Sequence, residues 1–250
     1  MTTLRLEDVH ALKWAGAKLL AAAVGLRSLE VLFATRPLLA VVMGALWLDW
    51  WAQRLKARWS DSEGRLSAIR PALRALAAIA FGVALGWVMI GAAAVTHTAR
   101  VRWGHWHAIG FSLGAFRTAA YAFRDELLLR GIPLALTRGR IPPRWSIGFS
   151  TVLAVAPWTT EPGVRIESLL LVASMGLFLA LVWQDGPGGL VAWGVHAGWL
   201  LVVQIVAQGA LLDIEWSRRS PSAGAPAYFG ACLFLLSSIT LYRWKRTAPP

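Results

Sequence analysis

From Ala75 to Val95 the sequence runs for 21 residues without a charged side chain. At a rise of 1.5 Å per residue such a helix is about 30 Å long, the thickness of a bilayer's hydrocarbon core. It has no polar face to turn to water, so it constrains the solvent of everything packed beside it. Further apolar runs follow this pattern at about 14–35, 37–51, 108–136, 146–159, 168–183, 190–212 and 227–241. Hydrophobic residues make up 57% of the chain and charged residues 15%, and the mean hydropathy is +0.54, which excludes an ordinary soluble domain. No polar stretch is long enough to fold separately. The expectation is an all-α fold: one integral-membrane domain over residues 1–250, a polytopic helical bundle of about eight transmembrane helices.

The formal net charge of +12 suggests nucleic acid at first sight. The basic residues, however, gather in short loops between the apolar runs, where they follow the positive-inside rule and meet anionic lipid. The densest such stretch, Gln53 to Arg74, carries Arg54, Lys56, Arg58, Arg65, Arg70 and Arg74. Placing it in the cytoplasm gives eight crossings with both termini cytoplasmic, and it puts Arg138, Arg140, Arg144 and the basic tail on the same side. The expected setting is the inner membrane of a bacterium, with the lipid bilayer as a partner and nucleic acid excluded. The first apolar run lacks a small-x-small cleavage site and reads as a retained segment rather than a signal peptide. Cys232 is the single cysteine, so no intramolecular disulfide and no cysteine-built metal site is available.

Against this apolar background, Arg124-Asp125-Glu126-Leu127-Leu128-Leu129-Arg130-Gly131 stands out. A charge inside a membrane segment is costly, and it faces a cavity or a partner. Glu126 and Arg130 stand four apart and share a helical face, so they are expected to pair. Asp125 projects about 100° away and is free to address another target, such as a water. Gly131 and Pro133 are expected to end this helix. A second polar group, His196, lies in Trp193-Gly194-Val195-His196-Ala197-Gly198-Trp199-Leu200, about two turns from the cytoplasmic side. Gly194 and Gly198, four apart, invite the close approach of another helix. The helix of Asp125 and Glu126 descends to that same side, so it and His196 are expected to meet.

Asp125-Glu126-x-x-x-Arg130 resembles the first motif, Glu-Glu-x-x-x-Arg, of the CPBP family, which includes the CAAX prenyl proteases and bacteriocin-processing proteins. The stretch closing on His196-Ala-Gly-Trp-Leu200 is similar to the region of its third motif, His-x-x-x-Asn. The resemblance covers a core from about 109 to 203. It implies an intramembrane glutamic-type endopeptidase acting on a membrane-anchored protein or peptide. In that reading Asp125 takes the place of the acidic base that activates water. Glu126 and Arg130 form the neighbouring pair, and His196 stabilises charge at the scissile carbonyl. No cofactor is implied, and no metal motif of the His-Glu-x-x-His kind is present.

The sequence departs from the family pattern at three places. Asp125 replaces a Glu, shortening the base by roughly one C–C bond, about 1.5 Å. Leu153 and Pro157 occupy the positions where the second motif, Phe-x-x-x-His, should supply a histidine. Leu200 stands where the third has Asn. His97, His105 and His107, in the connection ahead of the charged helix, are imidazoles that could compensate. Two other readings stay open: a member that has lost catalysis and binds or scaffolds membrane peptides, and a transporter whose Arg117, Arg124, Asp125 and Glu126 line a polar path.

Overall fold

The computed structural model describes residues 6–57, 69–104, 107–160, 162–185, 188–206, 211–216 and 225–247. Among these the chain is almost entirely helical: α1 (Leu6–Leu32), α2 (Pro37–Arg54), α3 (Ile69–Val95), α4 (Ala108–Glu126), α5 (Ile132–Thr137), α6 (Pro143–Thr159), α7 (Ile166–Asp185), α8 (Gly189–Leu200) and α9 (Ala225–Thr247). The all-α expectation therefore holds. Stretches within α3, α7 and α9, and α8 with the turn that extends it, are long and apolar enough to cross a bilayer: Pro71–Val95, Ile166–Gln184, Gly189–Val206 and Ala225–Arg243. They mark the chain as a membrane protein.

Local chemistry sets the ends. Pro37 and Pro143 open α2 and α6, where the missing N–H costs nothing. α2 and α3 both close on Schellman turns without glycine. Lys56 and His97 take the left-handed conformation (φ 53° and 54°), while Ala57 and Thr98 donate back to the carbonyls of Ala52 and Ala93.

The centre of the bundle is the crossing of α3 with α8, and it is made of small residues. The expected close approach at Gly194 and Gly198 is present, with α3 as the partner. A Cβ on Gly198 would overlap the Ile79 carbonyl oxygen, one on Gly82 the Val195 carbonyl oxygen, and one on Gly194 would stand 2.8 Å from the Ala78 methyl. The two helices run parallel, since Ala78 faces Gly194 and Gly86 faces Val202. α4 lies antiparallel against α8, with Gly114 near Ile205 and Glu126 at His196. α7 packs against α9 and α8, α6 against α7, and α1 against α2. We expect Gly198→Ala to lower thermal stability in detergent by about 1–3 kcal/mol through overpacking. Gly91→Ala, in α3 with nothing within 4 Å of the added methyl, should be neutral or stabilise by up to about 1 kcal/mol. Equal effects at the two glycines would contradict the close crossing.

Three expectations are corrected. The charged helix does not end at Gly131 and Pro133. It passes through a π turn, Leu127–Gly131, and continues as α5 to Thr137. The run at 190–212 is not one helix: α8 opens into a second π turn, Leu201–Val206, and Leu212 already belongs to a strand. The connections after α3 and after this π turn are not plain loops. They hold β1 (Ala99–Trp103) and β2 (Leu212–Trp216), which pair antiparallel with Val101 opposite Ile214. Ala99, Leu212 and Ile214 bury their side chains on Ile90, Ala93, Val202 and Val206, so the ribbon caps one end of the α3–α8 pair. Residues 58–68, half of the Gln53–Arg74 stretch, and the middle of the turn between α7 and α8 lie outside the described residues.

Candidate functional site

Glu126 is the last residue of α4 and has no solvent exposure. Both of its carboxylate oxygens accept hydrogen bonds from other elements. Oε1 takes Nη1 of Arg130, in the π turn, and Nδ1 of His196, in α8, at 2.8 Å. Oε2 takes the indole Nε1 of Trp183, in α7, at 2.9 Å. Arg130 is 2% exposed, and its Nε has no partner among the described residues. The expected Glu126–Arg130 pair is thus present. Glu126, Arg130 and His196, singled out from sequence, come together at one point.

The network fixes which ring nitrogen donates to Glu126. A carboxylate paired with a guanidinium is ionised and can only accept, so the His196 Nδ1 must carry the hydrogen. In the neutral ring that leaves the lone pair on Nε2, which has no partner among the described residues, and the ring keeps slight exposure, 9% of the side chain. A buried carboxylate behind one ring nitrogen, leaving the other free, is the arrangement that prepares an imidazole to accept a proton or hold a ligand.

The turn that follows Glu126 and carries Arg130 has a readable origin. Pro133 lacks the N–H that would answer the Leu129 carbonyl, and its ring crowds that oxygen. The helix responds by widening, with Ile132 N–H donating to Leu127 O, five residues back. π turns inside helices recur at functional sites.

Asp125 lies elsewhere. Its Oδ1 is held by Arg124 through Nε at 2.9 Å and Nη2 at 2.8 Å. The third arm of that guanidinium reaches Glu30 of α1 at 2.6 Å, and Glu30 in turn meets Arg27. Tyr121 lies beneath the Arg124 guanidinium, 4.7 Å from ring centroid to Cζ. The neighbouring acids therefore serve two networks, and the hydrogen bond to His196 belongs to Glu126. Oδ2 of Asp125 is left without a partner among the described residues, and the side chain is 30% exposed.

The other candidate residues stand apart from this point. Pro157 is exposed near the end of α6, and Leu200 packs against the apolar core. His97 and His107 are exposed, His97 serving as the turn residue that closes α3. His105 lies outside the described residues. Arg117 is exposed on α4.

Trp183 is the site residue that sequence reading missed. One among 15 tryptophans near a segment end, it reads as an interfacial anchor. The available signal is the glycine on either side of its ring in space: a Cβ on Gly189 would overlap the indole, and one on Gly131 would stand 3.1 Å from it. Trp183→Phe keeps the ring and removes the donor. We expect a loss of about 1–2 kcal/mol in thermal unfolding, high for an interhelical bond because the acceptor is charged. An unchanged midpoint would place the Nε1–Glu126 bond outside the energetics.

No family model, curated protein or solved structure matches the chain.

Proposed function

We propose that this chain is an intramembrane endopeptidase of the CPBP kind, in a bacterial inner membrane, cleaving a membrane-anchored protein or peptide. The observation that carries the reading is the buried Glu126–His196 hydrogen bond at 2.8 Å, which joins the charged helix to the histidine helix and leaves Nε2 free. In this assignment His196 is the general base. Its Nε2 takes a proton from a water, whose oxygen attacks the scissile carbonyl carbon. The imidazolium so formed lies against the Glu126 carboxylate, which stabilises it as the carboxylate of a hydrolase triad does. Arg130 and Trp183 hold that carboxylate in place. The proton then passes from His196 to the departing amine, and the peptide C–N bond breaks. Asp125, the base that the family resemblance implies, competes for this role through its free Oδ2. The eight crossings and the cytoplasmic termini belong to this proposal.

A second reading, a family member that binds membrane peptides without cutting them, is favoured by the complete burial of Glu126 and by Pro157 and Leu200 at motif positions. Terminal-peptide mass spectrometry of membranes from cells with and without the chain separates the two. The peptidase reading expects protein termini that exist only when the chain is present. Identical sets of termini in both membranes would leave the binding reading standing.

A further inference from the structure

One buried hydroxyl on α6 answers neither its own helix nor solvent. The hydroxyls of Thr151, Ser237 and Ser238 each return to a carbonyl four residues earlier in their own helices. Ser150, with no exposure, instead donates across 2.6 Å to the Leu129 carbonyl of the π turn, 21 residues back. Leu129 O lacks the usual α-helical donor, because the residue four places on is Pro133, which has no N–H to give. Thus proline withholds one donor, and a serine from another helix supplies one. A carbonyl deprived of a donor away from water is costly, so the hydroxyl is matched to one oxygen rather than to the helix in general.

Leu129 lies in the chain between Glu126 and Arg130, the two members of the pair. A π turn is a one-residue insertion, and a helix can relieve it by passing the extra residue along its length. Each one-residue slip turns the side chains before it by about 100°. A slip on the α4 side would swing Glu126 away from α8 and break its contact with His196. We infer that Ser150 is a positioning residue: by binding the Leu129 carbonyl it pins the π turn in the register that aims Glu126 at Nδ1 of His196. This concerns how the site is assembled and holds for the cutting and the binding readings alike.

The test reads the imidazole directly, in protein labelled with 15N-histidine, with the His196 signals assigned by their loss in His196→Gln. The wild type should show a protonated, hydrogen-bonded Nδ1. In Ser150→Ala the Nδ1 proton should exchange with water about five- to tenfold faster, the change expected from losing one such hydrogen bond. The double variant Ser150→Ala/Pro133→Ala returns a backbone N–H to Leu129 O. Its melting temperature should recover while the His196 signal does not, because the register is no longer pinned. That split separates aiming from simple stabilisation, and the double variant supplies the reading if Ser150→Ala alone does not fold. An Nδ1 signal like the wild type's in either variant would overturn the inference. So would a double variant no more stable than Ser150→Ala.

Discussion

Glu126→Ala is expected to destabilise this protein more than any other single substitution at the site. The change leaves the Arg130 guanidinium 2% exposed with no counter-charge, and its Nε is already without a partner among the described residues. It also strips the acceptor from His196 Nδ1 and Trp183 Nε1. Breaking a buried pair by removing one partner costs about 3–5 kcal/mol, because the remaining charge stays desolvated. Against a total stability of about 5–15 kcal/mol for a typical domain, most of the folded population is at risk. The double variant Glu126→Leu/Arg130→Met removes both charges at similar volume, and it should recover a large part of the loss. Folded yield and thermal midpoint in detergent are the measurements. A double variant no better than Glu126→Ala would mean that the pair is not what holds these helices together.

The second large effect is on turnover. His196→Gln keeps a polar side chain that can still donate to Glu126 but has no ring nitrogen to accept a proton. Loss of a general base lowers turnover by about 10²–10⁴-fold. Asp125→Asn should act differently under the same assignment. It weakens the Arg124–Glu30 network on the α1 side while leaving the His196 bond to Glu126 intact, so turnover falls less than in His196→Gln. If the resemblance-based assignment is right instead, Asp125→Asn is the more damaging change.

Much of this was legible in the residues themselves. Apolar run length announced the four bilayer-length helices, because such a segment has few alternatives. The i,i+4 spacing fixed the Glu126–Arg130 pair, and Gly194 and Gly198 announced a close crossing. The missed features depend on tertiary context. Gly131 and Pro133 carry the local signal of a helix end, yet the packing of α5 against α6 and α1 and the hydroxyl of Ser150 carry the helix across them. The strands β1 and β2 are five residues each, paired across more than a hundred positions, and nothing local marks them. The exchange of partners between Asp125 and Glu126 turns on where Arg124 and Glu30 lie, and the contact between α1 and α4 has no sequence signature.

The measurement that bears most directly on the Glu126–His196 site is the rate of chain-dependent cleavage in cells carrying His196→Gln at wild-type folded abundance. With His196 as the base held by Glu126, the processed termini seen with the wild type fall by at least about 10²-fold. Cleavage at the wild-type rate in His196→Gln would contradict the account.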